Sequence, residues 1–419
     1  MKPQPFARVM LICLCGLLTS TVAIAQVDTL SSYTTLQGTV RDGETRRPLD
    51  YVNVVVLGTS IGTVTNVDGG FILQVADSIP SRRLEISHLG YRSQIIPFDS
   101  TDVSGAVISL QPRSNTLPEV VVRATDPLRL VRNAVAKITT NYPNTHNMLT
   151  AFYRETVRKR RTYIDVTEAS IQIYKTPYDE GIAGDRVAIY KGRRLVSPKV
   201  SDTLAVKLQG GPMLSVFVDV VKNPDVLFSE EALADYKFSM SDPVMLDDRP
   251  HYVVNVEPSR VQPYPLYYGQ LFIDEATLAF TQVELHFSMK DRNKITAAIL
   301  QRKPFSLRFR PTEMTWLITY RTENGVSYLN YVRNEIRFNC DWKRRLFATN
   351  YAVVSEMVVT DKQLRNVEPI SWRNAFRERS ILTDKVSDFY DENFWEGYNI
   401  IAPTESLLSA VNKLKKKYK

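Results

Sequence analysis

The stretch Tyr267 to Phe287 reads YYGQLFIDEATLAFTQVELHF, and its alternation is that of two antiparallel strands joined by a turn. Leu271, Ile273, Val283, Leu285 and Phe287 fall on one face, while Gln270, Gln282 and Glu284 fall on the other. The apolar face is either a filled core or the wall of a groove for a lipophilic ligand, and the pattern alone admits both. Those five residues are therefore the candidate ligand-binding face.

Outward from this hairpin the chain continues in long, aromatic-rich strands: 149–157, 163–174, 252–257, 314–322, 326–338 and 348–358. Asn324-Gly325 between two of them is a type I′ hairpin signal, because both residues tolerate positive φ. Met213 to Val221, after Gly210-Gly211-Pro212, is too short to span a membrane and reads as a helix packed on the sheet. Upstream, Asp126 is placed to cap a helix with Pro127 in its first turn and Leu128, Val131, Val135 and Ile138 on one stripe. Asn141-Tyr142-Pro143 ends it.

From Thr35 to Leu110 the runs are shorter, six strands at 36–40, 51–57, 62–65, 71–75, 84–88 and 107–110 broken by turns such as Asp68-Gly69-Gly70. The expected organisation is a signal peptide (1–25), a β-sandwich (35–111), a linker (112–125), an antiparallel-sheet α+β domain (126–403) and a basic amphipathic helix (404–419). The fold class is mainly β with α+β. It comprises a seven-stranded sandwich followed by a larger antiparallel sheet, flat or curved into a half-barrel, packed on helices.

Two resemblances sharpen this. Gly38-Thr39-Val40-Arg41-Asp42, Pro48-Leu49, Gly62-Thr63-Val64-Thr65-Asn66, Asp68, Gly70-Phe71 and Gly90-Tyr91-Arg92 resemble the carboxypeptidase regulatory-like domain, a transthyretin-like sandwich of exported Bacteroidetes proteins. Asn66 stands where that pattern usually has Asp. The family name implies no peptidase activity. Leu117 to Val122 is similar to the segment that follows this sandwich in TonB-dependent transporters, but the remaining chain is too short for a barrel of about 22 strands. The hairpin at Tyr268 to Phe280 resembles an element of curved half-barrels in the periplasmic lipoprotein-carrier superfamily. The order Asp126-Pro127, Phe152-Tyr153-Arg154-Glu155, Gly210-Gly211-Pro212, Phe394-Trp395, Tyr398-Asn399 and Pro403-Thr404-Glu405 resembles a group of Bacteroidetes envelope proteins, which implies location and architecture but no activity.

The chain has 419 residues with 44% apolar and 23% charged composition, enough to bury real cores and too apolar for a disordered polymer. Lys2 and Arg8, the apolar run Val9 to Leu18 and Ala23-Ile24-Ala25 form an export signal, which predicts a periplasmic or outer-membrane-associated location. Cleavage after Ala25 would remove Cys13 and Cys15, leave Cys340 without a disulfide partner, and lower the formal charge from +8 to +6. A bias that mild permits contact with anionic lipid and argues against nucleic acid.

Catalytic motifs are not evident. His88, His146, His251 and His286 lack the spacing of a zinc site, no Gly-x-Ser-x-Gly run occurs, and Gly210-Gly211-Pro212 lacks the lysine of a phosphate loop. Cys340 has no adjacent base and reads as an inert buried thiol. The pairs Glu230-Glu231 and Asp247-Asp248 read as solvated turns, as does Arg158-Lys159-Arg160-Arg161. In the C-terminal helix Leu407, Leu408, Val411 and Leu414 share a face, and Lys413, Lys415, Lys416, Lys417 and Lys419 load the end. These lysines either answer the helix dipole or meet a membrane surface. The expectation is a protein that is not an enzyme, needs no cofactor, and binds an envelope protein or outer-membrane component. The alternative is a carrier of a lipophilic ligand, with lipid as its partner.

Overall fold

The computed structural model describes residues 32–113, 126–202, 204–246, 249–343, 347–377 and 394–416, together with 380, 382 and 386–388. The signal peptide, Cys13, Cys15, Leu117 to Val122 in the linker, Asp247-Asp248, Lys417 and Lys419 lie outside the described residues. Tyr33–Lys419 forms one compact unit.

Seven strands build the N-terminal sandwich: β1 (Tyr33–Asp42), β2 (Asn53–Val56), β3 (Gly62–Val64), β4 (Gly70–Ala76), β5 (Arg83–Ser87), β6 (Gln94–Pro97) and β7 (Val103–Leu110). One sheet has the order β4-β1-β7 and the other β3-β2-β5-β6. Alternate residues such as Val40, Val54, Leu73 and Ile86 fill the space between them at 0% exposure. Tyr91 closes the sandwich by donating its hydroxyl to Asp42 at 2.7 Å, which explains both the Asp and the Gly-Tyr pair of the sequence pattern. The strand missing from the sequence reading is β6, a short edge run whose Ile95 is 55% exposed.

The second sheet is built from β8 (Asn147–Lys159), β9 (Thr162–Lys175), β10 (Arg186–Val196), β12 (Tyr236–Leu246), β13 (Arg249–Pro258), β14 (Tyr267–Asp274), β15 (Phe280–Phe287), β17 (Leu307–Glu323), β18 (Val326–Trp342) and β19 (Thr349–Gln363). Short β11 (Lys207–Leu208) and β16 (Leu300–Arg302) pair with each other, and β20 (Ser387–Asp388) adds a parallel edge to β10. The order is β12-β13-β14-β15-β17-β18-β19-β8-β9-β10-β20, antiparallel throughout its first ten strands and not closed into a barrel. The chain therefore starts in mid-sheet, runs to one edge, crosses to the other, and returns as a meander that seats β19 against β8.

Helices α1 (Pro127–Ala136), α2 (Ile138–Asn141), α3 (Pro212–Phe217), α4 (Glu230–Leu233) and α5 (Arg292–Ile299) pack on the face that carries the main core. Asp126 caps α1, accepting from the Leu128 N–H at 3.0 Å. Leu130, Val131 and Ala134 are its buried residues, with Leu128 and Val135 half-buried against the same core, so the buried face is rotated by about one residue from the expected stripe. The groove reading is corrected by this packing. Leu271, Ile273, Val283, Leu285 and Phe287 are at most 4% exposed and lie in one cluster with Val131, Val216 and Ile295. Their alternation belongs to a filled core.

The opposite face carries the sandwich. Arg321 donates to the Thr59 carbonyl at 2.7 Å, Asn330 to Asn53 at 2.7 Å, and Ser60 to Asp361 at 2.6 Å. A strap formed by residues 394–404 is wedged between the two modules. Trp395 and Ile401 are buried with Val64 of the sandwich and Phe152, Tyr331 and Val358 of the sheet. The strap then enters α6 (Glu405–Lys415), capped by Thr404, whose Leu407, Val411 and Leu414 pack on Val166, Leu195 and Tyr163. Leu408, expected on that face, is 50% exposed. No helix among the described residues is long and apolar enough to cross a membrane.

Candidate functional site

The motif Phe152-Tyr153-Arg154-Glu155 is split by strand alternation into two jobs. Phe152 and Arg154 face the strap, where Arg154 donates to Glu168 at 2.9 Å and to the Ile401 carbonyl at 2.7 Å. Glu168 also accepts from Arg193 at 2.8 Å and from the Trp395 indole at 2.8 Å. Burial works against its charge, but the two arginines and Trp395 prevail and hold its carboxyl below the usual range. Tyr153 and Glu155 point to the other face. There they meet each other at 3.0 Å and the Gly211 N–H, so two motifs separate in sequence form one contact. Burial raises the Glu155 carboxyl, and burial with the nearby Glu155 charge raises Asp165 to about 7.

Asn66 accounts for its own departure from the family pattern. Its Oδ1 accepts from the Asp68 and Gly70 N–H groups at 2.9 Å, as an aspartate would. Its Nδ2 donates to the Ala402 carbonyl of the strap at 3.1 Å, which an aspartate could not do.

The most open chemistry lies at one end of the sheet. Arg158, Arg160 and Arg161 at the β8–β9 turn, Arg337 and Asn339 of β18, and Asn350 of β19 line a solvent-open cavity of about 650 Å³. Arg160 sits at φ 56, with its N–H on the Asn350 carbonyl at 2.8 Å, so the turn is tied to β19. Arg337 is matched by Glu335 at 2.6 Å and Glu313 at 3.3 Å. Although Glu335 is largely buried, Arg333 and Arg337 hold its carboxyl below the ordinary range. Arg158 lies over the Tyr163 ring at 5.7 Å, and none of Arg158, Arg160 and Arg161 has a carboxylate partner among the described residues. Three guanidinium groups without a carboxylate partner among the described residues, in a lining that also holds Glu313 paired to Arg337, have the chemistry to accept an anion. The sequence signal was the basic run itself. Its partners from β18 and β19 carried none.

The other titratable clusters are enclosed. Lys175 and Lys222, each at most 1% exposed, are paired with Asp219 and Asp185, and Tyr178 and Tyr320 donate to Asp219. Burial and the Lys175 charge lower Lys222 to about 8. The histidines lie apart: His88 is tilted against Tyr91, while His146 stacks on Tyr174 and His286 on Tyr268. His251 is fully buried beside the Arg249 carbonyl. Burial lowers His88 to about 4 and raises the Cys340 thiol to about 11. Among the described residues no three His, Cys, Asp or Glu side chains converge as metal ligands. Of the C-terminal lysines, Lys413, Lys415 and Lys416 sit on the last turn and cap of α6.

Residues 36–122 match the family model of the CarboxypepD_reg-like domain. The TonB-dependent receptor P3 of Formosa agariphila is 35% identical over 88 residues, 21% of this chain and 8% of that protein, so the chain spans less than a tenth of this curated relative. Among solved structures, an outer membrane lipoprotein-sorting protein domain from Vibrio parahaemolyticus is 12% identical, over 58% of this chain and 94% of that one, with a TM-score of 0.24. A DUF1329 family protein from Desulfovibrio piger is 10% identical over 58% and 96%, with a TM-score of 0.23. A membrane-associated protein of unknown function from Bacteroides fragilis is 12% identical over 79% and 98%, with a TM-score of 0.16. Scores of this size carry no argument.

Proposed function

We propose that this protein is a non-catalytic binding protein of the cell envelope, and that it holds an anionic group in the cavity lined by Arg158, Arg160, Arg161 and Arg337. One observation carries the reading: among the described residues, Arg158, Arg160 and Arg161 line open space with no carboxylate paired to them, the carboxylate in the same lining, Glu313, being paired with Arg337. Planar guanidinium groups match phosphate and carboxylate oxygens in pairs, so the cavity suits a phosphorylated or carboxylated ligand. Among the described residues the Thr312 hydroxyl of its lining has no base hydrogen-bonded to it, which favours binding over turnover. The export signal read from the N-terminus and the domain shared with a TonB-dependent receptor support the envelope location.

Titration calorimetry with inorganic phosphate and glycerol phosphate tests this. Saturable binding that weakens with salt is expected, with a loss of about tenfold or more when Arg158, Arg160 and Arg161 are changed to Ser. Unchanged binding in that variant would remove the site. The carrier alternative needs α3 and α5 to lift from a core that is filled here. A lipid enriched in organic extracts of the purified protein would reinstate it.

A further inference from the structure

Three turns converge at the end of the sheet that bears the arginine cavity. Register places Leu307 beside Trp342, Cys340 beside Thr349, Tyr351 beside Lys159, and Lys159 beside Thr162. The described residues next to these strand ends, Phe305 before β17, Lys343 and Phe347 between β18 and β19, and Arg160 between β8 and β9, therefore lie at one edge. Two of them present large aromatic rings to solvent: Phe305 is 92% exposed and Phe347 78%. The Lys343 ammonium lies 4.8 Å from the centre of the Phe305 ring, and the Lys343 backbone N–H donates to the Ser306 carbonyl at 3.2 Å, so the residue after β18 touches the segment before β17. Lys303, two residues before Phe305, donates to the Leu307 carbonyl at 2.9 Å and adds a second cation to the same loop.

Exposed aromatics are scattered elsewhere as well, but in other company. Trp372, for example, is covered by the Arg186 guanidinium at 4.2 Å. At this edge, Phe305 stands beside the Lys343 cation, next to the arginine cavity. Asn339 and Asn350 of the cavity are one residue pair from the last pair before the β18–β19 turn. That places the cavity within about one strand step of the turn, ~3.4 Å.

We infer that this edge docks on an anionic lipid surface, with Phe305 and Phe347 entering the interfacial region while Lys303, Lys343 and the cavity arginines take lipid phosphates. The chemistry is complementary on both counts. Phenylalanine gains by leaving water at the acyl boundary, and Lys and Arg beside it gain from the negative surface potential of the leaflet. This inference rests on the anion reading of the cavity for its phosphate contacts and adds the aromatic insertion.

The test is co-sedimentation of the purified protein with phosphatidylcholine vesicles, with and without phosphatidylglycerol, for the natural chain and the F305A/F347A double variant. Both rings are exposed, so the variant should unfold at the natural midpoint. Partition onto phosphatidylglycerol vesicles should fall about tenfold or more in the double variant, the lower end of what burying a phenylalanine contributes. Its binding of inorganic phosphate should be unchanged. A fluorophore on F305C should shift to the blue with those vesicles, using the unsubstituted protein as the labelling control. Equal partition of the variant and the natural chain, or no blue shift, overturns the docking edge and leaves the phosphate cavity standing. Loss of partition in the double variant, in a natural chain that does not bind inorganic phosphate, upholds the edge and removes the cavity reading.

Discussion

Replacing Glu168 with Gln should cost about 3–5 kcal/mol, the range for breaking a buried ion pair by removing one partner. The figure follows from the geometry. Glu168 lies opposite Arg154 on β8 and Arg193 on β10, and the three side chains are 5%, 3% and 11% exposed. Gln keeps the size and an oxygen for the Trp395 indole, so the strap contact survives, but two buried guanidinium groups lose their only counter-charge in the trio. Urea unfolding at pH 7.5, followed by tryptophan fluorescence, measures the difference. A loss under about 1 kcal/mol at unchanged m would show that water or backbone oxygens already neutralise the arginines. Acid gives a second check with a definite sign. The folded carboxyl is held below its ordinary 4.5, so its contribution is present above that pH and is lost as pH falls through the folded value. The gap between natural and variant proteins should therefore narrow as pH falls below 4.5 and close below the folded value. A gap that persists there refutes the electrostatic account.

Asn66→Asp is isosteric yet turns the Nδ2 donor into an acceptor facing the Ala402 carbonyl, and should cost about 1–3 kcal/mol. Faster proteolysis within the strap, with the core otherwise intact, is the expected accompaniment. Asp165→Asn should flatten the pH dependence of stability. The natural carboxyl rises from 3.8 to about 7 on folding, so the folded state binds the proton more tightly and natural stability falls between those two values as pH rises. The ceiling is about 4 kcal/mol. Parallel curves for the two proteins would show that Asp165 is not displaced.

Much of the local structure was legible because it depends on neighbours in the chain. Tyr267–Asp274 is a strand at the residues its alternation marked, Asn324 and Gly325 take φ of 51 and 80 as the hairpin requires, and Asp126 caps its helix. β10 and β12 were missed because they lie toward the sheet edges, where few side chains are buried and alternation fades. The site was legible only in part. Arg158-Lys159-Arg160-Arg161 is visible as charge, but charge alone does not distinguish a solvated turn from one wall of a cavity. Likewise Glu155 and Gly211 were both marked, and nothing between them signals that they touch.

The residues by themselves determined the sandwich with its family pattern, the strand-forming hairpins, the helix start at Asp126 and the basic character of the β8–β9 turn, since these follow from periodicity, turn chemistry and capping over a few residues. Only the tertiary structure decided that the apolar face holding Leu271 and Phe287 is filled, that β19 pairs with β8, and that the strap locks the sandwich to the sheet through Asn66, Arg154 and Glu168. It also brought Arg337 and Asn350 to the arginine turn. These outcomes depend on which surfaces meet after the chain closes on itself, and a one-dimensional pattern records which face is apolar without recording what comes to cover it.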